Sequence, residues 1–129
     1  MPAFRPDPEL LDRALVSLVA WHVLEALALG PASGVPVAAI VIGTGLEVTA
    51  LRRAIRALAL TGMVVRTADG RLALAPKRAE AMRRLVEAAA ADRVLHRALI
   101  KEAARRELSA GPLWGGVGAR RVSARSAPR

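Results

Sequence analysis

Thr49, Arg52, Arg53 and Arg56, within the segment Val37–Val64, are the side chains of clearest chemical use in this chain. At about 100° per residue in a helix they share one face, while Leu51, Ile55 and Leu58 share the opposite one. An arginine fork matches guanine O6 and N7 or a phosphate, and threonine adds a hydroxyl, so this face suits a DNA groove. Other chemistry is poorly supplied. There is no cysteine, and two histidines, His22 and His96, are too few for a histidine metal cage. No paired carboxylates, Ser-His-acid set or phosphate loop occurs. Gly43-Thr44-Gly45-Leu46 reads as a turn, because no G-x-G-x-x-G follows a strand. Neither an enzyme nor a cofactor or metal is therefore expected. Phe4, Trp21 and Trp114 are the aromatic residues, and none alternates with the basic stripe, which argues against single-strand or RNA recognition.

Elements must hold that face in place, and 129 residues suffice for one domain in which roughly two-thirds of the unfolded surface is buried. The net charge of +9 is uneven: residues 1–46 carry −2, 47–75 carry +3, 76–108 carry +4 and 109–129 carry +4. Basicity begins where the striped helix begins, and a polyanion is the partner such a balance favours. No basic segment followed by an apolar run opens the chain, which argues against a secretory signal, and the lack of cysteine fits a reducing interior. A cytoplasmic, nucleoid-associated protein is the expectation. Residues 26–46 contain no charge over 21 positions, yet Gly30, Pro31, Gly34, Pro36, Gly43 and Gly45 interrupt them, so no membrane span is expected.

Asp7-Pro8-Glu9 has the form of a helix start, and a single helix is expected from there to Gly30-Pro31, with Leu11, Leu15, Leu18, Val19, Val23 and Leu27 on its apolar side. Trp21 and His22 read as packing or partner-contact residues. A short second helix follows over Val37 to Gly43, then a turn at Thr44-Gly45-Leu46. The striped helix spans about Glu47 to Thr61, with Gly62 as its stop. Glu47 is a weaker cap than serine or aspartate; Thr44 with Glu47 has the spacing of a capping box one turn earlier. Two short β-type runs then flank Asp69-Gly70, a pair that favours a two-residue hairpin turn.

From Pro76 to Leu108 a long helical segment carries Met82, Leu85, Val86, Leu95 and Leu99. At 1.5 Å per residue it would be about 48 Å long if straight. Its far half is expected on a second protomer, or on the chain's own first helix after a break near Ala91-Asp92, where Asp92 could cap a restart. The residues 109–129, with Arg120, Arg121, Arg125 and Arg129, read as a flexible basic tail in which Trp114 stands out.

Helix, helix-turn-helix, hairpin is the order of a winged helix, and the residues resemble one family in particular. VAAIVIGTGL, then EVTALRRAIRAL, then GMV is similar to the winged helix-turn-helix of bacterial transcription regulators of the IclR and MarR types. Their pattern reads approximately VAEIAEATGL, then S-x-S-T-V-S-R-x-L-x-x-L, then GLV. Val23 to Leu27 resembles their first helix, and DGRLALAP resembles the IclR wing. The likeness covers roughly residues 14–76. It implies a mainly α fold with a small β-hairpin wing, divided as a winged helix-turn-helix domain over 1–76, a C-terminal helical segment over 77–108 and the tail. It also implies that Thr49, Arg52 and Arg53 enter the major groove of double-stranded DNA, with Arg56, Arg66 and Arg71 meeting phosphate.

Two functions follow. The first is a DNA-binding transcriptional regulator acting as a homodimer. The second is a winged-helix adaptor that joins a protein assembly, with DNA contact secondary, because Ala39 and Ile42 stand where this family has acids facing water and Val41 replaces a small residue. Val41 and Ile42 on the second helix, with Leu95 and Leu99 on the last, are the candidate partner-binding residues.

Overall fold

The first helical stretch is broken by a serine. The computed structural model describes residues 5–110, and in it α1 (Pro8–Ala14) ends before Leu15 while α2 (Leu18–Leu29) begins after Ser17. The expected single helix is therefore two. Ser17 is fully buried, and its hydroxyl accepts a hydrogen bond from the Ala20 amide at 3.0 Å, a local alternative to continuing the helix. The break lets α1 turn back onto the end of the striped helix. There the Arg13 Nη1 donates to the Thr61 carbonyl at 2.7 Å and the Thr61 hydroxyl donates to the Arg13 carbonyl at 3.0 Å.

α2 is the central helix. It buries Ala20, Trp21, Val23, Leu24 and Leu27, and it packs against α1, all the later helices and the second hairpin strand. After it, Gly34 takes φ +105, and Val35 pairs with Leu72 as an isolated antiparallel bridge. A Cβ at Gly34 would stand 3.0 Å from the Leu72 carbonyl oxygen, so glycine answers both the left-handed backbone and the close approach.

α3 (Val37–Thr44) buries only Ile40. It ends at Gly45, left-handed with φ +70, and the chain turns at once into α4 (Val48–Leu60), which buries Leu51, Ala54, Ile55 and Leu58. The capping box one turn earlier does not form. The Thr44 hydroxyl donates to the Ile40 carbonyl instead, and Glu47 itself caps α4, accepting from the Thr49 amide at 2.8 Å and the Ala50 amide at 3.1 Å. Those two amides and the helix dipole hold the Glu47 carboxyl below its usual range.

The hairpin pairs β1 (Val64–Arg66) with β2 (Leu72–Leu74) in antiparallel register, Val64 opposite Leu74. Its turn differs from the expected two-residue form. Thr67 and Arg71 close it through an amide-to-carbonyl bond of 2.8 Å, leaving a three-residue loop, Ala68-Asp69-Gly70. A two-residue turn of the Asp-Gly type needs positive φ at Asp69 as well as Gly70, and only Gly70 adopts it. The Thr67 hydroxyl, bonded to Asp69 and to the Arg71 amide, favours the longer loop.

α5 (Pro76–Ala91) and α6 (Arg93–Ala110) are separated at Asp92, whose carboxylate accepts from the Val94 and Leu95 amides and restarts the helix as its spacing predicts. α6 then packs on α5 and α2 of its own chain. Leu99 and Ala103 join one hydrophobic cluster that reaches back to Leu10, so packing continues across residue 76. The last helix is tied down at its far end. The Leu18 amide, at the start of α2, donates to Glu107 at 2.9 Å, and Arg106 donates to Asp12 at 2.9 Å. Ser109 and Ala110 belong to α6, whereas the rest of the expected tail, Trp114 included, lies outside the described residues.

The described chain is thus mainly helical with a small two-stranded antiparallel sheet. No helix of the described residues is long and apolar enough to cross a membrane.

One ion-pair cluster on α6 gives a pH prediction. Side-chain hydrogen bonds from Arg105 and Arg106 hold the Glu102 carboxyl down to about 2 from 4.5. A carboxylate whose pKa is lower in the folded state adds stability above its unfolded pKa and loses it as pH falls through the folded value. The melting temperature should therefore decline between about pH 4.5 and pH 2, and Glu102→Gln should flatten that limb by lowering the neutral-pH value slightly while leaving pH 2 little changed. Because the group is exposed, 0.5 M salt should shrink the difference.

Candidate nucleic-acid interface

The two stripes of α4 separate as their spacing requires. Leu51, Ala54, Ile55 and Leu58 lie in the core, and Thr49, Arg52 and Arg56 are exposed. Arg52 and Arg56 stand one helical turn apart, about 6 Å along the axis. Neither has an acidic partner within 4 Å among the described residues, whereas Arg13, Arg71, Arg84, Arg105 and Arg106 all do. Their charges are left to water or to an external anion.

Arg53 differs from its neighbours. It is half-buried, and its Nη1 is shut off from water without a hydrogen-bond partner. It lies near the Glu47 carboxylate and contributes slightly to lowering that group's pKa. An arginine so placed must move outward before its fork meets a base edge. The stripe also ends early: Ala59 and Leu60 are exposed after Arg56, Leu60 at 83%, so the basic part of the face belongs to the first two and a half turns.

α4 packs against β1, which places the hairpin in the same unit as the arginine face. Arg66 is exposed, and its Nη1 donates across the loop to the Gly70 carbonyl at 3.2 Å. Arg71 is half-buried, with Nε 3.2 Å from the Asp69 carboxylate. The Thr67 hydroxyl keeps the Asp69 carboxyl below its ordinary pKa, so a negative charge stands at the hairpin tip and offsets Arg71. Of the six residues expected to face DNA, Thr49, Arg52, Arg56 and Arg66 are exposed, while Arg53 is half-buried and Arg71 is paired with Asp69.

The expected partner-binding residues divide differently. Ile42 is 83% exposed and Val41 is half-buried at the core's edge. Leu99 is 4% exposed and Leu95 half-buried, both packed with the chain's own core. Leu99 therefore offers no surface to a partner. The turn at Asp92 is the physical reason, since it folds α6 back where its apolar side meets α2 and α5.

Sequence reasoning missed how α2 and α6 meet on their polar side. Glu25 lies 3.7 Å from the His22 Nδ1 and 3.7 Å from the His96 Nε2, above the fully buried Trp21. The i, i+3 spacing of His22 and Glu25 was a visible signal; His96 joins them only through the return of α6. Among the described residues no group of three such side chains is placed to hold a metal ion. Comparison of the chain with protein-family models, with curated proteins and with solved structures finds no match.

Proposed function

We propose that this chain is a winged helix-turn-helix DNA-binding regulator that sets the first turns of α4 into the major groove of double-stranded DNA, as a homodimer. The observation that carries the reading is the pair Arg52 and Arg56, exposed, one turn apart and without acidic partners on a helix whose other face is core. The order of elements supports it: α2, a one-residue bridge at Val35, α3, a glycine turn, α4, then a hairpin with Arg66 near its tip. Thr49 and Arg52, nearest the helix start, read base edges, while Arg56 and Arg66 hold phosphate. Arg53 is held back until DNA displaces it.

Selection of bound duplexes from a random pool at two salt concentrations tests this. An inverted repeat should emerge, with log affinity falling against log salt at a slope of about −4 or steeper, as four or more phosphate contacts per dimer require. No enrichment at either salt would overturn the reading and favour the winged-helix adaptor, for which the exposure of Ile42 is the specific observation. The hairpin offers a second measurement. Asp69→Asn removes the carboxylate at its tip and releases Arg71, so duplex affinity should rise about threefold and its salt dependence should steepen. Unchanged affinity and salt dependence in that variant would place the hairpin away from DNA.

A further inference from the structure

One part of this surface is free of lysine and arginine. No acidic or basic side chain occurs from Ala26 to Leu46 in a chain of net charge +9, and this stretch folds as the last turn of α2, the following loop, α3 and the turn after it. Between α2 and α3 lies a hollow of about 540 Å³ lined by Leu29, Ala39, Ile40 and Gly43, with His22 and Glu25 at its α2 side. Small residues form its α3 wall, and a Cβ placed on Gly43 would meet nothing within 4 Å. Ile42 follows Ala39 by three residues, so it projects about 60° further round α3, beside the hollow. It is 83% exposed, and Leu29, across the hollow on α2, is 72% exposed.

We propose that a second copy of this chain covers this face, the Ile42 of each copy seated in the α2–α3 hollow of the other. Charge selects the occupant. Two copies of a strongly basic chain repel one another over most approaches, and this face, free of lysine and arginine and with Glu25 beside His22 and His96, is where they meet without burying an unpaired cation. A projecting side chain and an open hollow side by side on one face also make the surface complementary to itself under a two-fold axis. α6 is the poorer route to a dimer: Leu99 and Ala103 are spent inside the chain, and its exposed Val94 and Leu108 stand among Arg93, Arg97 and Arg105. A face built on one projecting side chain and one hollow per copy is small beside a permanent interface, so association is of micromolar strength. The interface deepens the homodimer of the proposed function and rests on that reading for its use, but self-association is measured without DNA.

Sedimentation of the full chain, free of DNA, should show a concentration-dependent shift from monomer to dimer centred at tens of micromolar. Ile42→Glu sets a carboxylate beside Glu25 in each hollow, and Gly43→Gln fills each hollow from its own wall. Each should weaken the dimer at least tenfold with circular dichroism and melting temperature preserved. The natural chain lacks cysteine, so an oxidised mixture of Ile42→Cys and Ala39→Cys proteins should give the mixed disulfide in excess over either homodimer, and a Lys101→Cys control should give none. A chain that stays monomeric at several hundred micromolar overturns the proposal, as does a dimer that tolerates both substitutions. Binding to a duplex with a single half-site is the separate readout of the DNA reading: Ile42→Glu should leave it unchanged, so the two can fail independently.

Discussion

Replacing Arg52 and Arg56 together by alanine should lower affinity for the selected duplex about a hundredfold and reduce the salt slope by one to two. One arginine on a guanine edge and one on phosphate account for a loss of this size, since a good bidentate base contact is worth roughly 1–3 kcal/mol and each phosphate contact about one unit of slope. Both side chains are exposed and unpaired, so the fold should not notice their removal: melting temperature should stay within about a degree or two. Arg53→Ala is the informative comparison. Its Nη1 is buried without a partner, so truncation relieves a desolvation cost while removing a contact that forms only when the side chain swings out. It should weaken binding less than either Arg52→Ala or Arg56→Ala, and thermal stability should hold or rise. Fluorescence anisotropy with a labelled duplex at three salt concentrations measures all four proteins. A double variant that binds as tightly as the parent would remove α4 from the DNA interface.

Trp21→Ala should cost about 3–5 kcal/mol, the usual range for emptying a large aromatic site in a core. Trp21 is fully buried in the first turn of α2, the helix on which most of the others converge, and its ring lies 6.4 Å from that of His96 on α6. For a domain of this size the loss corresponds to a fall in melting temperature of roughly 15–30 °C, a large fraction of ordinary domain stability. Trp21→Phe separates volume from polarity. The indole Nε1 has no hydrogen-bond partner, so phenylalanine sacrifices part of the packing while deleting an unpaired buried donor, and the net cost should be about 1 kcal/mol. Urea unfolding followed by circular dichroism gives both numbers. Near-parent stability in Trp21→Ala would mean that α2 is not the centre of the core.

Those two residues mark different grades of legibility. α4 could be read directly, because an amphipathic helix writes its buried and exposed faces into the sequence at a period of 3.6: Leu51, Ile55 and Leu58 inward, Thr49, Arg52 and Arg56 outward. Asp92 was readable for the same local reason, as an aspartate cap in a run too long to stay on one small domain. The break at Ser17 was not, because Leu15, Val16 and Leu18 continue the apolar spacing across it. What decides that break is where α1 finds Thr61, 48 residues on. Glu47 looked like a poor cap by residue preference, yet with Thr44 bonded back to Ile40 it is the group left to meet the first amides of α4.

By itself, then, the sequence determined the local matters: where helices begin and end near Asp7, Gly45, Gly62 and Asp92, which side of α4 is apolar, and that positive charge gathers from residue 47 onward. Those depend on backbone propensity and on neighbours within one or two turns. Tertiary structure alone decided which charges remain free. Arg13 and Arg106 are engaged, by the Thr61 carbonyl 48 residues on and by Asp12 from 94 residues away, and Arg53 is folded under, while Arg52 and Arg56 stay open. It decided equally that Leu99 is core and Ile42 is surface. The physical reason is common to both. Burial and ion pairing depend on what the fold brings within a few ångströms, and a one-dimensional pattern records which side chains are suited to a contact without recording which contact they make.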